Sequence, residues 1–280
     1  MLVKEINELR SLIKAWRKEG LSIGYVPTMG ALHEGHESLV KKAVKENDKV
    51  VVSVFVNPTQ FGPNEDYDSY PRDINRDLEI CINVGASIVF SPDPSEMYYD
   101  NRSTIVSVSN LTSVLCGAKR PGHFDGVCLV VSKLLNIVTP DRAYFGQKDA
   151  QQVAVIKRMV RDLNIDVEII ECPIIREDDG LAKSSRNAYL SKEERKAALV
   201  LSRSLNKAKE MLKQGERKAN IIKEIIKEEI SKEPLAKIDY VEVVDSELLE
   251  NVEMIEKNIL VPIAVYIGET RLIDNFIFEI

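Results

Sequence analysis

SIGYVPTMGALHEGHESLVKKAVKENDKVVVSVFV (residues 22–56) is the stretch that decides how this chain folds. Two apolar runs, residues 22–26 and 49–56, bracket a glycine-bearing loop and an amphipathic segment. In KVVVSVFV the apolar side chains follow one another almost without alternation, the pattern of a strand covered on both faces. Between the runs, Leu39, Val40, Ala43 and Val44 recur at helical spacing across residues 36–46. Strand, loop, helix and strand form a βαβ unit, which predicts a parallel strand pair.

The same alternation extends in both directions. Ile6, Leu9, Ile13 and Trp16 predict a helix over residues 4–19, closed by Gly20. Residues 72–84 read as a helix and 86–90 as another buried strand. Residues 104–108 read as a strand, 127–138 as a very apolar helix, 143–145 as a strand, 149–162 as a helix and 166–171 as a strand. The fold class is therefore α/β, a doubly wound parallel sheet. After Cys172 the character changes. A long helix over 191–212 opens on a capping box, Ser191 with Glu194. A charged helix (218–230) and three strands (238–244, 260–267 and 271–278) follow. This is a small α+β unit, so two domains are expected, residues 1–173 and 174–280.

Composition narrows the function classes. The 280 residues are 44% hydrophobic and 29% charged, with a net charge of -6. That balance disfavours a nucleic-acid partner. No window approaches a membrane span, and the N-terminus lacks signal-peptide features, so a cytoplasmic protein without a membrane partner is expected. Cys81, Cys116, Cys128 and Cys172 are scattered and suggest buried thiols rather than a zinc knuckle or a disulfide framework.

The chemistry gathers in loops. His33-Glu34-Gly35-His36 lies between a predicted strand and a predicted helix, where helix-start amides favour an anion. Gly30 and Gly35 let backbone approach closely, and two imidazoles can donate to phosphate oxygens. Two surface histidines are the plain alternative. It is disfavoured because two of the chain's three histidines lie at the expected mouth of a parallel sheet, where such folds bind ligands. No metal site is expected, since HEGH lacks the i, i+4 spacing of HExxH. Lys183-Ser184-Ser185-Arg186 offers hydroxyls and a guanidinium for phosphate, although a polar turn ahead of a helix would read the same way. Gly146-Gln147-Lys148-Asp149 joins a strand end to a helix start. The plainer alternative for Gln152, as the partner of Asp149 in a cap, is the less favoured reading. Asn57 and Gln60 are neutral amides suited to a hydroxyl and a carboxylate, and Arg120-Pro121-Gly122-His123 sets a guanidinium beside the last histidine. Either of these segments alone would pass for a turn.

Taken together, these segments resemble the pantothenate synthetase family over essentially the whole chain. The resemblance is carried by YVPTMGALHEGH, FVNPTQFGPNEDYDSYPR, RPGHFDGV, FGQKDAQQ and GLAKSSRNAYL. HxGH marks only the wider nucleotidylyltransferase and class I aminoacyl-tRNA synthetase-like superfamily; FVNPTQF with RPGHFDG is much more specific. The resemblance implies a Rossmann-like N-terminal domain, a C-terminal lid and a homodimer through the N-terminal domain. It implies ligation of pantoate to β-alanine through a pantoyl adenylate, with ATP as substrate and Mg²⁺ accompanying it.

It also implies roles for individual residues. Met29, Gly30, Ala31, Leu32, His33, Glu34, Gly35 and His36 would contact ATP, with His36 as proton donor. Gly146, Gln147, Lys148, Asp149 and Ile175 would also bind ATP, with Lys148 on the phosphates. Lys183, Ser184, Ser185 and Arg186 would form the closing loop. Gln60 would touch both pantoate and β-alanine, and Gln152 would bind pantoate. Asn57, Tyr70, Arg120 and His123 would line the substrate side. Two positions depart from the family pattern. Lys183 stands where Met or Leu is usual, and Gln147 where Glu is common. Lys183 either contacts ATP through its backbone or reaches a phosphate with its side chain. Two rival functions share parts of the pattern: a nucleotidylyltransferase with a phosphate acceptor, and a nucleotide-binding regulator without turnover.

Overall fold

The computed structural model describes residues 1–280 except Asn64. The chain divides into two compact units, Met1–Gln147 with Val155–Pro173, and Lys148–Ala154 with Ile174–Ile280.

The first unit runs β1 (Leu2–Val3), α1 (Ile6–Lys18), β2 (Ile23–Thr28), α2 (Glu34–Glu46), β3 (Lys49–Val54), α3 (Ile74–Asn83), β4 (Ile88–Phe90), α4 (Pro94–Met97), α5 (Leu115–Lys119), α6 (His123–Val138) and β5 (Arg142–Gly146). After α7 (Ala150–Asp162) comes β6 (Glu168–Cys172). The six strands lie in the order β1-β4-β3-β2-β5-β6, and every neighbouring pair is parallel. From β2 the chain builds outward through β3 to β4, then returns to the other side of β2 as β5. The direction of winding reverses between β2 and β5, which makes their C-terminal edge the switch point where open α/β sheets bind ligands.

The β-branched run of β3 is buried at Val50, Val51 and Val52, as its composition predicts. Val26, Val50, Val52, Val89 and Tyr144 form one cluster with Leu39, Val40 and Ala43 of α2. Helix α6 begins at His123, one turn earlier than predicted, after Gly122 in the left-handed region (φ 80°). Its extreme apolarity is matched by burial at Val127, Cys128, Val130, Val131, Leu134, Leu135, Ile137 and Val138, so packing within one chain accounts for it. The strand predicted over 104–108 does not form. No strand among the described residues pairs with that segment, and Ile105 is 77% exposed. Cys81, Cys128 and Cys172 are buried and Cys116 is half-buried.

The second unit carries α8 (Lys192–Ala197), α9 (Leu199–Lys213), α10 (Ala219–Ile230), β7 (Ala236–Val241), β8 (Val244–Asp245), β9 (Ile259–Ile267) and β10 (Thr270–Phe278). The predicted 191–212 helix is interrupted at Ala198, where Leu201 N donates to the Ala198 carbonyl and tightens the turn. The capping box at its start is present: Glu194 N donates to Ser191 Oγ, and Ser191 N to Glu194 Oε2. Strands β10, β9 and β7 pair antiparallel, with β8 against β9. Ile222, Ile226 and Ile230 of α10 and Leu201, Leu205 and Leu212 of α9 pack on Val261, Ile263 and Val265 of the sheet.

Candidate active site

Three site segments of the first unit leave the same sheet edge. Thr28 and Val54 are register partners at the ends of β2 and β3, so the loop carrying Met29 and the loop carrying Asn57 leave side by side. Gly146 ends β5 on the other side of β2.

The loop after β2 is held from within. Gly30 N donates to Thr28 Oγ1 (3.2 Å), whose hydroxyl donates to the Ser53 carbonyl (2.7 Å). Ala31 N and Leu32 N donate to the two carboxylate oxygens of Asp77, at 3.0 and 2.8 Å. Leu32 is buried at 2% exposure. His33 then caps α2. Its Nδ1 accepts from Gly35 N (3.1 Å), and His33 N donates to His36 Nδ1 (3.3 Å). The imidazole centroids are 4.1 Å apart. An Nδ1 that accepts an amide proton carries none itself, which leaves Nε2 as the donor of each ring. The amides of Gly30, Ala31, Leu32, His33 and Gly35 therefore each donate to a protein acceptor. The donors this segment offers to an anion are imidazole N–H groups rather than these amides. Glu34 opens the helix beside them.

The loop after β3 is a second closed network. Asn57 is 1% exposed. Its Nδ2 donates to Gln60 Oε1 (3.0 Å) and to the Gly126 carbonyl (3.1 Å). Its Oδ1 accepts from Tyr98 Oη (2.7 Å) and Thr59 Oγ1 (2.9 Å). The Asn57 amide is thus committed to protein groups and orients Gln60. Gln60 Nε2 points to Met29 Sδ at 3.1 Å, which joins the two loops. Helix α6 can approach only because residue 126 is glycine: a Cβ there would lie 2.2 Å from the Thr59 carbonyl oxygen and 2.7 Å from Gln60 Cα.

Arg120 and His123 complete that network. Arg120 forms a bidentate pair with Glu65 at 2.6 and 2.5 Å, and its Nη1 lies 3.0 Å from His123 Nε2. Arginine has no acceptor, so Nε2 accepts and His123 carries its proton on Nδ1, which donates to the Gln60 carbonyl at 2.8 Å. Burial opposes ionisation of Glu65, but the Arg120 guanidinium outweighs it and holds the carboxyl below its usual value. Tyr70 is buried edge-on to Phe61, with centroids 6.0 Å apart.

In the second unit, Lys148 lies in the turn Gln147–Asp149, and its carbonyl accepts from Asn275 Nδ2 at 2.9 Å. Gln152 is half-buried near the start of α7. Lys183 N donates to the Ile175 carbonyl (2.9 Å), and its Nζ pairs with Glu177 at 3.0 Å. Ser184 caps the turn Ser185–Tyr189, its Oγ accepting from Arg186 N at 3.3 Å. Lys183, Ser184, Ser185 and Arg186 thus form one short polar turn.

Sequence reading missed four residues here: Asp77, Glu65, Tyr98 and Gly126. Only Asp77 left a local signal. It shares the i, i+3, i+4, i+7 stripe of Ile74, Leu78 and Cys81, where a carboxylate is out of place unless paired.

A parallel sheet with a two-histidine loop at its switch point defines an α/β protein whose candidate ligand site lies at that edge. The particular family is settled by comparison. The pantoate-beta-alanine ligase family model matches residues 1–277, and the chain belongs to that family. It is 70% identical to the pantothenate synthetase of Clostridioides difficile (strain 630), over 100% of this chain and 99% of that relative. A pantothenate synthetase from Thermus thermophilus superimposes with a TM-score of 0.92 at 44% identity, covering 98% of both chains. A pantoate-beta-alanine ligase from Francisella tularensis, solved in complex with beta-gamma ATP and beta-alanine, gives a TM-score of 0.79 at 38% identity, covering 99% of this chain and 97% of that one.

Proposed function

We infer that this chain is an enzyme that joins pantoate to β-alanine at the expense of ATP. The observation that carries the reading is the pair of imidazoles whose Nδ1 atoms accept helix-start amides at the sheet's switch point, in a chain that matches its family over residues 1–277.

A carboxylate is a poor acyl donor, so it must first be activated. The pantoate carboxylate attacks the α-phosphate of ATP, the bond to the β-phosphate breaks, and pyrophosphate leaves. The amine of β-alanine then attacks the acyl carbon of the pantoyl adenylate. AMP leaves, and the amine gives up a proton as the amide forms. Nε2–H donors on His33 and His36 meet the charge that builds on the phosphate oxygens, each donor contributing on the order of 3 kcal/mol. Lys148, Ser184, Ser185 and Arg186 of the second unit are assigned to ATP. Gln60, oriented by Asn57, His123 and Met29, is assigned to the two carboxylic acids, Tyr70 and Arg120 to the same side of the first unit, and Gln152 to pantoate. Orientation of this kind supplies a large part of the catalysis of group transfer.

Mg²⁺ is assigned to the triphosphate. Among the described residues no group of three or more His, Cys, Asp or Glu side chains converges into a cage. A magnesium ion that accompanies ATP is generally held largely by phosphate oxygens and water. Bound there, it would neutralise charge on the phosphates.

A cytoplasmic homodimer joined through the first unit completes the reading. Tyr99 and Ile105, each 77% exposed, are apolar side chains of that unit which a second copy would cover. No helix among the described residues is long and apolar enough to cross a membrane.

The deciding experiment measures AMP and pyrophosphate with each substrate omitted in turn. Pyrophosphate should require ATP and pantoate, and AMP should require β-alanine as well. Turnover that ignored both acids but needed a phosphate acceptor would favour a nucleotidylyltransferase. ATP binding without turnover would favour a regulator.

A further inference from the structure

We propose that Asp77 is the positioning residue of the 29–33 loop, acting on ATP through the backbone at Ala31 and Leu32. The inference rests on the ligase reading above and adds a residue outside the motif.

Asp77 lies in α3 and is 1% exposed. Both of its carboxylate oxygens accept loop amides, Ala31 N at 3.0 Å and Leu32 N at 2.8 Å. The amides it holds belong to a strained turn. Gly30 has φ 86° and Ala31 has φ 52°, a region that non-glycine residues rarely adopt unless something holds them. The fit is close as well as polar. A Cβ on Gly30 would lie 2.8 Å from Asp77 Oδ2 and 3.0 Å from Val54 Cγ1. Burial pushes the Asp77 carboxyl above its ordinary value, against the pull of the two amides.

The consequence reaches the histidines. His33 and His36 cap α2 immediately after this turn, and their rings are fixed by backbone amides of the same segment. Whatever fixes Ala31 and Leu32 therefore fixes where the two Nε2–H groups point. A carboxylate presents a separate acceptor oxygen to each amide. An asparagine of the same shape offers one acceptor and turns an N–H₂ group toward the other amide.

The experiment compares Asp77→Asn and Gly30→Ala with the unaltered enzyme. It records thermal melts, pyrophosphate release from ATP and pantoate, the KM of ATP and the KM of β-alanine. Asp77→Asn is expected to fold, to form adenylate about 10- to 100-fold more slowly, and to raise the KM of ATP, while the KM of β-alanine stays within about twofold. A folded Asp77→Asn that forms adenylate at the normal rate overturns the proposal. So does a loss of rate with the KM of ATP unchanged, the mark of a partly unfolded population. If Asp77→Asn does not fold, Gly30→Ala decides, because it leaves Asp77 in place and pushes the turn off it. The same kinetic signature supports the proposal, and a normal KM for ATP overturns it. If the unaltered enzyme releases no pyrophosphate, the ligase reading fails instead. Equilibrium titration with ATP then tests the loop: weaker binding by the variants supports Asp77, and equal binding overturns it.

Discussion

His33 and His36 cap the same helix start: His33 Nδ1 accepts the Gly35 amide, and His36 Nδ1 accepts the amide of His33. One pair of rings thus ends the helix and aims two Nε2–H donors. The two roles can be separated. Asparagine at an N-cap and glutamine at the third helical position keep a capping box but lack the imidazole. His33→Asn and His36→Gln are expected to change stability by less than about 1 kcal/mol. Each should slow adenylate formation by about 10²- to 10³-fold. Thermal melts and pyrophosphate release check both halves. A fall in stability that accounts for the lost activity would reduce the histidines to capping residues.

Glu229 makes the second unit sensitive to acid. Lys232 and Arg203 hydrogen-bond its carboxylate, with Lys207 adding to them, and they outweigh burial to pull it down to about 2 from the usual 4.5. The unfolded chain therefore binds more protons than the folded one between those values, and stability falls with falling pH. The contribution is fully present above the unfolded value and is lost as pH drops toward about 2. The three cationic partners are 46 to 59% exposed, so it is on the order of 1 kcal/mol and weakens in salt. Urea melts of Glu229→Gln and the unaltered chain should differ near neutral pH and converge on acidification. A gap that stayed constant with acid would contradict the assignment.

What the sequence made legible follows its physics. KVVVSVFV and the apolar runs around it could be read as buried strands, because burial on both faces leaves an unbroken β-branched run. Residues 104–108 carry the same local signal but have no neighbouring strand among the described residues, and a single run cannot reveal its partner. The segments that carry His33, His36, Gln60 and Lys148 stood out as candidates because their motifs are local. Glu65, Tyr98 and Gly126 did not. Each acts on a residue more than forty positions away (Arg120, Asn57 and Thr59), and nothing in a linear pattern records such a pairing.

Lys183 tests one of the departures from the family pattern. Its Nζ is paired with Glu177 at 3.0 Å and its side chain is 14% exposed. Lys183→Met restores the residue type usual in the family and removes that pair. The KM of ATP should stay within about twofold, and stability should fall by about 1 kcal/mol, the size of a modest ion pair. Adding Glu177→Gln should recover most of that loss, since it removes the half-buried carboxylate left behind. A tenfold or larger rise in the KM of ATP would mean that the lysine reaches a phosphate.

Gly126→Ala sets two effects of opposite sign against each other. Alanine favours a helix interior over glycine by about 1 kcal/mol. The new Cβ, however, would meet backbone at 2.2 Å (Thr59 O), 2.5 Å (Thr59 C) and 2.7 Å (Gln60 Cα). Backbone cannot swing aside as a side chain can, so overpacking of about 1–3 kcal/mol outweighs the helical gain. The displaced group carries Gln60, and a shift near 1 Å in a substrate-positioning residue is enough to slow turnover by as much as about 10²-fold. The KM of pantoate and of β-alanine should rise by about tenfold or more, while the KM of ATP changes less, because the His33 cap does not rest on Gly126. Steady-state kinetics with each substrate varied, alongside thermal melts, would read this directly. A variant that is more stable and kinetically normal would show that the Thr59–Gln60 backbone yields to the methyl group, and that the approach of α6 does not hold Gln60 in place.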